Sequence, residues 1–204
     1  MSEKKEALQH LSEIKSALVD KDSFFPYNYN ALIVWGIIGM FLTLFMAPIF
    51  KESVLFGSIF SFVMMSIGFI VEGYLTKKVN ADYDIEDCTK RQKFIMMMFT
   101  TLTMFGIALS ALLAKYDLIL LIFPVWLFLM GIGHYAVGFV LNINLFNFTS
   151  CLKMSVAILM MIGAYFVDGL GEINSTLYYI VQGVTFMLLG VLPIWMGRKL
   201  GKEL

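Results

Sequence analysis

From residue 31 onward, almost every position falls in one of six apolar stretches: Ala31–Phe50, Val54–Leu75, Phe94–Ala114, Leu118–Leu141, Phe148–Asp168 and Thr176–Gly197. A hydrocarbon core about 30 Å thick is crossed by about 20 helical residues rising about 1.5 Å each, and every stretch has that length. The predicted fold class is therefore an all-α membrane protein, a six-transmembrane-helix bundle preceded by an N-terminal amphipathic helix. Hydrophobic residues make up 59% of the chain, above the roughly 45–50% of a soluble domain. Thr76–Lys93, the longest loop between spans, is too short for a second domain. The expected organisation is residues 1–30 as a cytoplasmic amphipathic helix and aromatic anchor, 31–197 as the membrane domain, and 198–204 as a cytoplasmic tail.

Net charge is zero, but the cations are unevenly placed. Lys4, Lys5, Lys15 and Lys21 precede the first span; Lys77, Lys78, Lys90, Arg91 and Lys93 border the second loop; Arg198, Lys199 and Lys202 follow the last span. Only Lys51 and Lys115 fall on the opposite side, and Lys153 lies inside a span. The positive-inside rule then puts both termini in the cytoplasm. Residues 1–29 contain no apolar run of the signal-peptide kind, so the first span is expected to direct insertion. Cys88 and Cys151 fall on the reducing side without metal-like spacing, and read as structural.

Within residues 3–20, Ala7, Leu11, Ile14 and Leu18 share a helical face. The four lysines of residues 1–22 are offset by five acids, so Leu11, Ile14 and Leu18 suit contact with a protein partner or a second copy better than contact with lipid. Phe24, Phe25, Tyr27 and Tyr29 form an aromatic interface anchor, and Pro26 interrupts the incoming helix. In the second loop, Asp82, Asp84, Glu86 and Asp87 precede Lys90, Arg91 and Lys93, which predicts a third helix starting near Asp84. A short internal match, Ile67–Tyr74 against Ile132–Phe139, is compatible with three helical hairpins.

Small and polar residues fall in stripes. Gly57, Ser61, Met65, Gly68 and Glu72 share one face of the second span. Gly131, His134, Gly138 and Asn142 share a face of the fourth, and Lys153, Ala157, Ala164 and Asp168 one of the fifth. Gly183, Gly190 and Gly197 recur every seven residues in the sixth. Helices in lipid associate through close packing, so Gly57, Gly68, Gly131, Gly138, Gly183, Gly190 and Gly197 read first as packing positions.

The ionisable members need a separate account. Measured from the assigned cytoplasmic ends, Glu72, His134 and Lys153 lie roughly 5, 10 and 8 Å into the membrane. Charges at such depth face a bundle interior, a watery cavity or one another, unless they snorkel to the interface. With Asn142 and Asn147 from the following connection, they form a candidate polar vestibule.

Fifteen methionines, including Met96–Met98, serve as adaptable gap-fillers rather than copper ligands. No phosphate loop, metal signature, nucleophile motif or nucleic-acid patch is present, and no cofactor is expected.

Leu11–Leu18, the aromatics after it, Trp35-Gly-Ile-Ile-Gly39 and Gly131-Ile-Gly-His-Tyr135 together resemble a group of small bacterial six-span proteins with a short N-terminal cytoplasmic helix. The resemblance implies a bacterial inner membrane and brings no activity with it. The sequence thus suggests a non-enzymatic protein of the lipid bilayer that handles a small solute or ion at a cytoplasm-facing vestibule. The competing reading is an interaction or sensory subunit that uses residues 3–20.

Overall fold

A computed structural model describes residues 25–202, all of whose regular elements are helical. Leu11, Ile14 and Leu18 lie outside the described residues. The helices are α1 (Asn30–Glu52), α2 (Val54–Ala81), α3 (Lys90–Lys115), α4 (Ile122–Leu141) led in by a 3₁₀ turn at Ile119–Leu121, and α5 (Asn144–Ala164). The sixth span is α6 (Thr176–Phe186), a π-helical turn at Met187–Val191, and α7 (Leu192–Leu200). Six helical spans are thus long and apolar enough to cross a membrane, as in a multi-pass membrane protein.

The fourth span is the axis of the bundle. Its most apolar window is 67% buried against other helices, while no other span exceeds 39%. Such a helix is hydrophobic all round because protein surrounds it, whereas its neighbours turn residues such as Phe41, Leu55, Phe105 and Ile162 outward. Phe123, Leu127 and Trp126 of α4 are buried in the core; Trp126 Nε1 donates to Ser110 Oγ of α3 at 2.9 Å.

Several boundaries differ from the sequence reading. The third helix begins at Lys90, not near Asp84, because Thr89 and Gln92 form a reciprocal capping box that satisfies the first N–H groups. Asp84 instead takes a positive φ of 55° in the turn after α2. The fifth span is Asn144–Ala164, shifted four residues toward the N-terminus from the predicted Phe148–Asp168. Asn142, at φ 54°, ends α4 in the left-handed conformation that asparagine tolerates, so only Asn142 and Ile143 separate α4 from α5. Asn144 and Asn147 are therefore helical.

The hairpin idea holds for α1 with α2 and for α3 with α4, but not for the last two spans. α5 packs along α4 instead, and the sixth span lies against α1. The reason lies in the small residues. A side chain at Gly131 would meet Ser150 and Met154, and one at Gly138 would meet Phe146 and Asn147, so α5 is drawn onto α4. Gly36 and Gly190 similarly bring α1 and the sixth span together, and the Gly197 position abuts the Tyr29 carbonyl. Between α5 and α6 an apolar cleft remains, lined by Leu121, Val156, Gly163, Leu177 and Ile180. At the end of the bundle away from Asn30 and Leu200, Lys51 and Asp117 pair at 2.5 Å across the two short turns.

The heptad of glycines in the sixth span is not one seam. Gly190 faces Met40 and Gly36, and Gly197 faces Ile33, but a side chain at Gly183 would meet nothing within 4 Å. The π turn between them adds a residue to the helical repeat and rotates what precedes it by roughly 100°.

Candidate functional site

α1, α2, α3, α4 and the sixth span enclose one internal cavity, with about 50 Å³ open to the centre of a water-sized sphere. One water needs roughly 10–15 Å³ on that measure, so the space admits a few. Glu72 from α2 and His134 from α4 both line it, beside Tyr27, Trp35 and Pro193 at the end near Asn30 and Leu200. Met46, Met65 and Phe123 line the deeper end. Thr43 and Thr185 also border it, but each hydroxyl is spent on its own helix, donating to the carbonyls of Gly39 and Val181 at 2.7 and 2.8 Å.

Glu72 is half-buried, and its carboxylate accepts the Trp35 indole N–H at 2.8 Å. This bond is permitted by Gly68, one turn earlier on α2, where a Cβ would stand 2.5 Å from the Trp35 ring. Lys153 takes no part in it, and no ion pair joins the two.

The partner of Lys153 is His134. The lysine side chain is fully buried, at 0% exposure, and its Nζ lies 2.5 Å from His134 Nδ1. With Nζ as the donor, Nδ1 accepts and the ring hydrogen sits on Nε2 of a neutral imidazole. Two protons cannot occupy that contact, so the pair carries one positive charge at most. Lys153 is trapped there because Phe146, Thr149, Ser150 and Ala157 around it are buried, and the close α4–α5 approach leaves its stem no path to the surface. Phe99 and Phe146 flank the His134 ring, with centroids 6.3 and 6.1 Å away.

The structure therefore places the candidate residues unequally. Glu72 and His134 share the cavity, and Lys153 backs His134 from behind. Asn142 is exposed at the end of α4, while Asn147 packs on Gly138 with its Oδ1 buried and unbonded among the described residues. Neither asparagine lines the cavity. Trp35 and Tyr27 belong to its wall, although as sequence they read as a span residue and an interface anchor. The sequence signal for Trp35 is an indole donor beside Gly36 and Gly39 in the first span; nothing in the sequence pointed Tyr27 inward. Among the described residues, no three histidine, cysteine or acidic side chains gather as a metal site.

Tyr27 lines the end of the cavity near Asn30 and Leu200. Its ring meets Tyr29 and Phe146 edge-on, and the Pro26 carbonyl beside it accepts from Gln92 Nε2 at 3.1 Å. Gln92 is itself fixed by a reciprocal amide pair with Asn80, at 2.8 and 3.0 Å. Burial, reinforced by Glu72 and Tyr29, holds the Tyr27 phenol well above its ordinary range. An upward shift means that its stabilising contribution is complete below about pH 10, the ordinary tyrosine value, and is lost as pH rises from there through the native value. Tyr27→Phe should therefore lose less stability than the parent protein between neutral pH and pH 11, as read by thermal unfolding in detergent. Equal losses in the two proteins would show that the phenol is not sheltered.

Comparison with protein families, with curated proteins and with solved structures returns no match.

Proposed function

We propose that this is a non-enzymatic integral membrane protein that takes a small solute or ion into the central cavity from the cytoplasm. The observation behind this reading is the convergence, on one internal space, of a carboxylate from α2 and a lysine-backed imidazole from α4. Ionisable groups at membrane depth are costly and are characteristic of solute and proton pathways. A helix-packing role requires neither of them. The cation distribution supports an orientation with both termini and the polar end of the cavity facing the cytoplasm. The setting is a bacterial inner membrane, which rests on the sequence resemblance.

The test is accessibility in oriented vesicles. In a background with Cys88 and Cys151 replaced by serine, Thr185→Cys and Val137→Cys place thiols on the cavity wall, and Ala157→Cys places one in the packed α4–α5 seam. A small charged methanethiosulfonate should label the first two from the cytoplasmic side only, and the third not at all. Labelling of the cavity thiols from the other side would overturn the orientation. No labelling from either side would make the interior a dry core and end the solute reading.

A further inference from the structure

Resting on that reading, we infer that the solute is an anionic single-chain amphiphile, such as a medium-chain fatty acid, lying along the cavity with its carboxylate at His134. Shape is the first argument. Along α1 the lining runs from Trp35 through Ile38, Leu42 and Met46, a span of about 16 Å at the helical rise. The cavity is thus a slot, not a sphere. Beyond Trp35, Glu72, Tyr27 and His134, its walls offer apolar side chains, Trp126 whose indole N–H is spent on Ser110, and the two threonines whose hydrogens are already committed. A polar solute would leave its hydrogen bonds unmade over most of that length. A hydrocarbon chain would not. The slot is narrow, and Met46, Met65 and Met130 along it are unbranched side chains that re-pack to admit a chain.

Charge is the second argument. The Glu72 carboxylate already has a donor in the partly buried Trp35 indole. The base pair has no such complement: fully buried Lys153 bonds to another base, and no acidic group among the described residues pairs with either. The one positive charge that this pair can hold is costly to bury without a counter-ion. A carboxylate arriving at His134 Nε2–H would accept that hydrogen and supply the missing negative charge. The headgroup would sit at the mouth and the chain would fill the deep, apolar end.

The experiment measures binding of decanoate to the full-length protein in lipid nanodiscs by calorimetry, beside decanol, decyltrimethylammonium, acetate and tetradecanoate. Decanoate should bind at least tenfold more tightly than decanol and acetate, and His134→Gln should remove that preference. Met46→Trp, which fills the deep end, should weaken decanoate while sparing hexanoate, a readout independent of the charged pair. Equal binding of decanol and decanoate, or preference for decyltrimethylammonium, would overturn the assignment of the anionic head. Preference for acetate would overturn the chain. If the cavity thiols are labelled from the cytoplasm and no decanoate binds, the ligand class is wrong while the solute reading stands; if neither occurs, both fall.

Discussion

Replacing His134 with leucine should destabilise the protein by about 3 kcal/mol, because it leaves the buried Lys153 amine without its acceptor. Lys153→Met should cost far less, within about 1 kcal/mol. It exchanges a buried polar group for an apolar one of similar volume, and His134 keeps its cavity face. The double variant should therefore sit close to Lys153→Met alone, recovering most of the loss caused by His134→Leu. Denaturant titration of the four proteins in one detergent reads this cycle. Glu72 provides the control: it shares no partner with Lys153, so Glu72→Gln and Lys153→Met should add to within about 0.5 kcal/mol. Equal costs for the two single substitutions, with simple addition in the double, would show that the His134–Lys153 contact carries no coupling.

A second large effect is expected at Gly39. A Cβ there would run into the backbone carbonyl of Leu189 in the π turn, and backbone cannot move aside as a flexible side chain can. Gly39→Ala should cost about 3 kcal/mol, at the upper end for overpacking, by forcing α1 away from the sixth span. The same substitution at Gly183 meets open space and sits within α6. It should be neutral or stabilising by up to about 1 kcal/mol, since glycine is a poor helix former. Thermal unfolding followed by tryptophan fluorescence suits the comparison, because Trp35 lies on the affected helix. A mild effect at Gly39, or a severe one at Gly183, would contradict the packing of the sixth span on α1.

The contrast between those two glycines shows where sequence reasoning stops. Spacing of seven put Gly183 with Gly190 and Gly197, which is sound only while the helix keeps 3.6 residues per turn. The π turn at Met187–Val191 breaks that count, and no single residue in Phe186–Leu192 announces it. Gly36 and Gly39 share a face at a spacing of three and stood in plain view, yet their partner is 150 residues away. The third-helix start was misread for a related reason. Asp84 and its neighbours suit a helix dipole worth a few tenths of a kcal/mol, whereas Thr89 and Gln92 satisfy specific N–H groups.

The sequence by itself determined the number of helical spans and the presence of ionisable groups among them. Hydropathy over about 20 residues is a sum of local transfer energies, and no tertiary contact is needed to evaluate it. Which charge meets which was decided only by tertiary structure. Depth alone left Glu72, His134 and Lys153 equivalent, since residues on different helices carry no sequence record of rotation about the bundle axis. The close approach of α5 to α4 at Gly131 and Gly138 set that rotation and joined Lys153 to His134. The contact of α2 with α1 at Gly68 gave Glu72 to Trp35 instead.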